Sequence, residues 1–276
     1  MAGQARPAIF FMPQLPTSGV VDVDGRAVEM LLGGEGHPVV VLINGSGGPL
    51  AGWQPVFAGI AAQTTTLAYN RPGIGRSAPP AEPQTAATMV ATLQRLLAAL
   101  ALAPPYVFVG HSFGGLVANL FARLHPQQVA GVVLLEATAP EDLTALKAHE
   151  NALQKSLAWL MNRVAPLPPH HETRHTGRTA AELAAAPPFP PVPLRVITGA
   201  RPAMAWATRP ELLQARAAHQ RALAGLSPHG RQVPVGKSGH FPQFSEPDLV
   251  VATVLELLVH AAEPALGEVD DRRGLR

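Results

Sequence analysis

Short, almost continuously apolar runs recur along the chain, and stretches with apolar residues at helical spacing lie between them. The runs are PVVVLI, TTLAY, YVFVG, GVVLLEA and PLRVITGA. Runs of this kind predict strands that are covered on both faces. The intervening stretches predict helices at Trp53 to Ala62, Ala86 to Leu102 and Leu116 to His125. The repeated β–α order predicts a mostly parallel sheet wrapped by helices, with its reactive loops at the carboxyl ends of the strands.

Two regions depart from this β–α order. The segment SGVVDVDGRAVEMLL alternates apolar and polar residues around Asp24-Gly25, which predicts an N-terminal antiparallel hairpin. Residues 138–191 begin as a long helical stretch and continue as a Pro- and His-rich piece, which predicts a helical lid or cap insertion. We therefore expect one domain, with a core of residues 1–137 and 192–265, the lid at 138–191, and a charged, frayed tail at 266–276.

The composition narrows the class of protein. With 276 residues, 47% hydrophobic and 14% charged, the chain suits a globular core and not general disorder. The net charge of +2 comes with scattered basic residues, so a nucleic-acid partner is not expected. The absence of cysteine excludes disulfides, thiol catalysis and cysteine metal sites. No segment reaches the ~20 apolar residues of a membrane span, so we expect a cytoplasmic protein of undetermined oligomeric state.

A candidate nucleophile lies where the strand YVFVG gives way to a helix. Ser112 stands between Gly110 and Gly114 in the pattern G-x-S-x-G. This is the pattern of a nucleophile elbow, in which the glycines make room for a strained, outward-pointing serine. The following helix directs its N-terminal N–H groups toward the same place. A Gly/Ser turn without chemistry is the alternative, but strand, spacing and helix agree in predicting a nucleophilic Ser112.

A serine nucleophile needs a histidine base, and His240 is the best candidate. It follows a strand and a glycine in VGKSGHFPQFSEP and precedes a terminal amphipathic helix, so it lies in a loop at a strand end. A satisfied core or surface histidine is the alternative. His111 is predicted to pack within the elbow. The lid histidines His170, His171 and His175 lack companion ligands, so neither a metal nor another cofactor is expected.

Four segments, GHSFGG, YNRPGIGRS, LINGSGGPLAGW and SGHFPQFSEP, resemble segments of the α/β-hydrolase superfamily in the same order. The resemblance is closest to lidded, serine esterase-like members. It implies that the backbone N–H groups of Ser46 and Phe113 form an oxyanion hole, whereas a purely structural turn is the alternative for NGSGG. The chain departs from the family pattern at Asn44-Gly45, where many relatives have His-Gly, and at Asn70, where many have Asp.

Three carboxylates are candidates for the acid that would orient the His240 base. Many triads of the superfamily place it after the strand PLRVITGA, but here no carboxylate follows until Glu211. Glu136 ends the preceding strand, which is an alternative location in the superfamily, and it preserves the order Ser, Glu, His. We predict Glu136 as the acid, with Asp142 and Glu211 as rivals. A carboxylate that only caps the first turn of the lid is the alternative.

These residues together predict a serine hydrolase that cleaves a small or medium hydrophobic carboxylic ester through an acyl-enzyme. An acyltransferase with the same triad and a binding or receptor protein on this fold remain alternatives. Five aromatic residues are candidates for contacts near the mouth of the site, although each is equally plausible as core. They are Trp53, Phe113, Trp159, Trp206 and Phe241.

Overall fold

The computed structural model describes residues 17–143, 167–201 and 210–262, and one eight-stranded sheet organises them. The strands are β1 (Gly19–Val23), β2 (Arg26–Gly33), β3 (Val39–Ile43), β4 (Thr66–Tyr69), β5 (Tyr106–His111), β6 (Val129–Leu135), β7 (Leu194–Gly199) and β8 (Gly230–Val235). Their order across the sheet is β1-β2-β4-β3-β5-β6-β7-β8. The pairs β1–β2 and β2–β4 are antiparallel, and all others are parallel. The predicted mostly parallel sheet with an N-terminal hairpin is therefore confirmed.

The hairpin turn has the geometry that its residue pair predicts. Asp24 and Gly25 both have positive φ, 53° and 78°, as the two central residues of a type I′ turn require. The Asp22 carboxylate also accepts a hydrogen bond from the Gly25 N–H at 2.9 Å. The turn thus directs β2 back along β1, which places β2 beside β4.

Helices cover both faces of the sheet. Within the described residues they are α1 (Gln54–Ala61), α2 (Ala86–Ala99), α3 (Gly114–Leu124), α4 (Thr176–Ala185), α5 (Pro210–Ala224), the one-turn α6 (Pro242–Ser245) and α7 (Pro247–Ala262). Alternate side chains of β3 point to opposite faces, because side chains alternate along a strand. Val41 packs in the core with α2 and α3, whereas Leu42 packs with α1 and α7. In the described part of the chain, no helix has the length and hydrophobicity needed to cross a bilayer.

The segment between β6 and β7 is described at residues 136–143 and 167–193. Its helix α4 lies against the start of α2, where Thr179 Oγ1 accepts a hydrogen bond from the Ala86 N–H and Glu182 accepts one from the Ala87 N–H. These two side chains satisfy N–H groups that have no partner within α2 itself. The helical stretch predicted after residue 143 and the tail at 266–276 lie outside the described residues, so the lid stays a prediction.

Candidate active site

Two residues with left-handed backbone lie side by side at the carboxyl edge of the sheet. Ser112 follows β5 with φ 49°, and Glu136 follows β6 with φ 47°. Such a conformation costs a non-glycine residue on the order of 1–3 kcal/mol, and it persists where the surrounding structure fixes it. Here the Ser112 N–H donates to Leu135 O, and the Ser112 C=O accepts from the N–H groups of Gly115 and Thr138. Both residues are thus turned out of their strands at one place.

The glycines that flank Ser112 are required by close packing. A Cβ atom at Gly110 would lie 2.7 Å from Gly114 O, and one at Gly114 would lie 2.2 Å from Ile43 O. Both distances are far below an ordinary van der Waals contact. The sharp change from β5 to α3 therefore depends on the two missing side chains, which gives the spacing in GHSFGG its physical reason.

The Glu136 carboxylate is buried, with 2% of the residue exposed, and its two oxygens have different neighbours. Oε1 accepts a hydrogen bond from the Gly199 N–H at 2.7 Å. Oε2 lies 3.6 Å from His240 Nδ1 and is also in contact with the guanidinium of Arg216. The separation between His240 Nδ1 and Glu136 Oε2 is slightly longer than a hydrogen bond. The structure therefore brings the predicted acid to the predicted base.

His240 follows β8, and 32% of its side chain is exposed. Its carbonyl accepts a hydrogen bond from His111 Nε2 at 2.8 Å, and the two rings lie 4.9 Å apart. Burial lowers the pKa of His111 to about 4, so this ring is neutral at neutral pH and carries its proton on Nε2. His111 thus anchors the His240 loop to the elbow as a neutral donor, in keeping with the packing role predicted for it.

The loop of residues 44–48 passes directly over the elbow. A Cβ atom at Gly45 would lie 3.0 Å from the Ser112 Cβ and 3.1 Å from His111 Nδ1, so only glycine fits without displacement. The next residue is Ser46, whose backbone is predicted to bind an oxyanion. Phe113, the other predicted donor, is the N-cap of α3, where N–H groups have no partner within the helix.

The two rival candidates for the acid, Asp142 and Glu211, have surroundings that do not include His240. Asp142 accepts a hydrogen bond from the Ala139 N–H at 2.8 Å and contacts His219 Nδ1 at 2.5 Å. Glu211 lies exposed in the first turn of α5. Neither carboxylate is paired with His240, whereas Glu136 is.

The aromatic candidates divide into three groups. Trp53 has no exposed surface and packs in the core beside α1, so it offers no face to a substrate. Phe113 is 5% exposed and also belongs to the core. Phe241 is 52% exposed, and its ring lies 5.0 Å from that of His240, so it is available at the site. Trp159 and Trp206 lie outside the described residues.

Three charged residues near the site were not anticipated from the sequence. Arg216 of α5 contacts Glu136, and Arg71 donates hydrogen bonds to Asn44 O and Gly45 O. Glu172 forms a buried ion pair with Arg71. Arg71 had a detectable signal, because an arginine follows a buried strand within YNRPG. Arg216 and Glu172 had none, since each lies in a polar stretch far along the chain from its partner.

A family model described as alpha/beta hydrolase fold matches residues 38–189. The uncharacterized protein YqjL of Bacillus subtilis is 33% identical over 103 residues, which are 37% of this chain and 41% of that protein. The dihydrolipoyllysine-residue acetyltransferase component of the acetoin cleaving system of Pseudomonas putida is 35% identical over 123 residues, covering 44% of this chain and 33% of that protein. The chain thus spans less than half the length of these curated relatives.

A solved structure resembles the chain over most of its length. The enol-lactonase from Burkholderia xenovorans LB400 aligns with a TM-score of 0.62 at 23% identity. The alignment covers 87% of this chain and 100% of that one. At this identity the likeness is one of fold.

Proposed function

The chain belongs to the α/β-hydrolase fold family, and from this membership and the geometry of the site we propose that it is a serine hydrolase that cleaves carboxylic esters through an acyl-enzyme. The observation that carries the proposal is the convergence of Ser112, Glu136 and His240 at the carboxyl edge of the sheet. Two of them have left-handed backbone, and the third lies 3.6 Å from the Glu136 carboxylate. Polar residues held in left-handed backbone are typical of catalytic sites.

In the proposed reaction His240 accepts the proton of the Ser112 hydroxyl while the oxygen attacks the ester carbonyl. The proton then passes from His240 to the departing alcohol as the tetrahedral intermediate collapses to the acyl-enzyme. Water repeats the two steps, with His240 again as the base, and releases the acid. Glu136 acts on the opposite side of the imidazole, where a carboxylate fixes the ring orientation and stabilises the imidazolium.

The negative charge that develops on the carbonyl oxygen needs donors that are already in place. The N–H groups of Ser46 and Phe113 are the proposed donors, because Gly45 packs against Ser112 and Phe113 adjoins it at the start of α3. The following amides of the loop, Gly47 and Gly48, donate to Glu172 and to Gly45 O. The half-exposed Phe241 beside His240 favours an apolar group on the ester.

Covalent labelling tests this proposal. A fluorophosphonate probe should add one equivalent to the wild-type protein and none to Ser112→Ala, because only an activated serine reacts. Ser245→Ala is a matched control, since Ser245 is exposed and lies five residues after His240; it should label as the wild type does. Hydrolysis of an aryl ester should fall by on the order of 10⁴- to 10⁶-fold in Ser112→Ala. Equal labelling of Ser112→Ala and the wild type would refute the nucleophile.

Acyl transfer to another acceptor is the second candidate, and the similarity to the acetyltransferase component of Pseudomonas putida favours it. That similarity covers 33% of the relative, so the support is confined to the shared region. The two reactions use the same acyl-enzyme and differ in whether water or an alcohol or thiol attacks it. Product analysis with competing acceptors distinguishes them, because a transferase forms the new ester or thioester in preference to the free acid.

A further inference from the structure

A buried ionic contact beside the site joins Arg71, which follows β4, to Glu172, which lies in the segment between β6 and β7. Arg71 Nε lies 2.9 Å from Glu172 Oε2, and Arg71 Nη2 lies 2.9 Å from Oε1. The side chains are 3% and 6% exposed. Burial opposes the charge on each group, but their mutual attraction outweighs it, so the pKa of Glu172 is lowered and that of Arg71 is raised. Both groups are therefore charged at neutral pH.

Both partners of this ion pair also bind the loop that carries Ser46. Arg71 donates to Asn44 O at 2.5 Å and to Gly45 O at 2.6 Å. Glu172 Oε1 accepts from the Gly47 N–H at 2.8 Å. The peptide groups immediately before and after Ser46 are thus fixed by the same guanidinium–carboxylate pair.

The bond to Gly45 O has a direct consequence for Ser46. The Gly45 carbonyl and the Ser46 N–H belong to one planar trans peptide group, in which they point in opposite directions. A guanidinium that holds the carbonyl therefore fixes the direction of the N–H on the other side. It also polarises the peptide group, which strengthens the N–H as a donor.

We infer that Glu172 is a positioning residue of the active site: by holding Arg71 with two hydrogen bonds, it sets the orientation of the Ser46 N–H toward the developing oxyanion. The inference rests on the proposed serine-hydrolase function. It gives the segment between β6 and β7 a part in catalysis, because that segment supplies the carboxylate without which Arg71 is buried and unpaired. Glu172 acts through Arg71 and the loop and does not touch the substrate.

The variant Glu172→Gln tests the inference with little change in shape. One carboxylate oxygen becomes an NH₂ group that faces an Arg71 N–H, so one of the two hydrogen bonds from Arg71 is lost. We expect kcat for an ester to fall by about 10- to 100-fold, less than the loss caused by deleting an oxyanion-hole donor, with KM within about 2-fold. The affinity for a boronic acid, which mimics the tetrahedral intermediate, should fall by the same factor as kcat/KM.

Glu182→Gln is the matched control, because Glu182 lies in the same segment and its carboxylate accepts from the Ala87 N–H, away from the loop. It should keep the wild-type kcat and boronate affinity. If Glu172→Gln does not fold, the double variant Arg71→Met/Glu172→Met removes both buried charges together, which proteins tolerate better than loss of one partner. It should show the same selective loss.

The outcomes separate the inference from the function on which it rests. If wild-type protein hydrolyses esters and labels at Ser112, but the folded Glu172 variant keeps the kcat and boronate affinity of Glu182→Gln, the positioning role is refuted and the serine hydrolase stands. A kcat above the wild-type value also refutes it, because it indicates that Glu172 acts only as an opposing charge. If the wild type neither hydrolyses esters nor labels, the proposed function itself fails.

Discussion

Two buried carboxylates of the same sheet, Glu29 and Glu136, have contrasting surroundings. Glu29 lies within β2, and each of its oxygens accepts two hydrogen bonds. The donors are Ser18 Oγ at 3.0 Å, Asn70 Nδ2 at 2.7 Å, Arg76 N at 2.9 Å and Arg76 Nε at 2.9 Å. These donors, led by the Arg76 N–H, lower the pKa of Glu29 to about 2 even though burial opposes the shift.

Glu136, by contrast, stands on left-handed backbone just beyond β6. One oxygen is held by the Gly199 N–H, whereas the other faces Arg216 and the partly exposed imidazole of His240. A carboxylate whose hydrogen-bonding capacity is filled by fixed donors stabilises a fold. Glu136 also has a donor on each oxygen, but its Oε2 faces the partly exposed imidazole as well, which suits the role of orienting a base that we propose for it.

The largest effect that this comparison predicts is on turnover. Glu136→Gln should lower kcat by up to ~10⁴-fold, because an amide no longer stabilises the imidazolium or selects the useful tautomer. Glu29→Gln should leave kcat for folded protein near the wild-type value and should lower the stability instead. Steady-state kinetics on an aryl ester, with circular dichroism to verify folding, measures both.

The rival carboxylates serve as controls for Glu136. Asp142→Asn and Glu211→Gln should each change kcat by less than about 10-fold, since neither carboxylate is paired with His240 and catalytic losses of the triad kind need that contact. A large loss in either, together with near-normal turnover in Glu136→Gln, would transfer the role of acid to that residue.

Local sequence was sufficient for the strands and the elbow. The five apolar runs became β3 to β7 because residues covered on both faces leave a continuous apolar signal. Ser112 was identifiable because close packing requires the glycines that lie two residues before and two residues after it, Gly110 and Gly114. The hairpin was identifiable for the same reason, since the turn needs positive φ at Asp24 and Gly25.

Interactions between distant segments left no such signal. Arg216 reaches Glu136 across 80 residues of sequence, and Arg71 reaches Glu172 across 101. Helix α5 was not predicted because its apolar and polar residues are poorly segregated around its axis. Trp53 could be named as a pocket or a core residue with equal justification, and only the packing of the folded chain places it in the core.

Asn70 is one of the hydrogen-bond donors that surround the Glu29 carboxylate. Its side chain donates to Glu29 at 2.7 Å while accepting from the Leu50 N–H at 2.9 Å. Asn70→Asp would place two carboxylates in contact at a buried site. We expect it to lower the free energy of unfolding at pH 7 by on the order of 3–5 kcal/mol, with a smaller loss at pH 5, where one carboxylate takes up a proton.

The double variant Glu29→Gln/Asn70→Asp should recover much of the lost stability. In this variant the amide at position 29 donates to the carboxylate at position 70, the reverse of the wild-type hydrogen bond. Urea unfolding of the four proteins of this cycle measures the coupling. If Asn70→Asp alone is as stable as the wild type, or if the double variant is no better than the single one, the contact with Glu29 is not the reason for asparagine at this position.

The smallest predicted effect concerns His111, which joins the elbow to the His240 loop. Its pKa of about 4 lies below the ~6.5 of an unfolded histidine, so between these values the unfolded chain binds a proton that the folded protein does not. Stability should therefore fall as the pH drops from about 6.5 to 4. Each unit of pKa corresponds to about 1.4 kcal/mol, so this contribution is about 3 kcal/mol.

His111→Gln keeps a donor for His240 O without a titrating group, and its unfolding free energy should decline less over this window. Other acid-sensitive groups, Glu29 among them below pH 4.5, act equally in both proteins and cancel in the difference. His229→Gln, at an exposed position, should follow the wild type. Parallel wild-type and His111→Gln curves from pH 7 to 4 would mean that His111 is accessible to protons in the folded state.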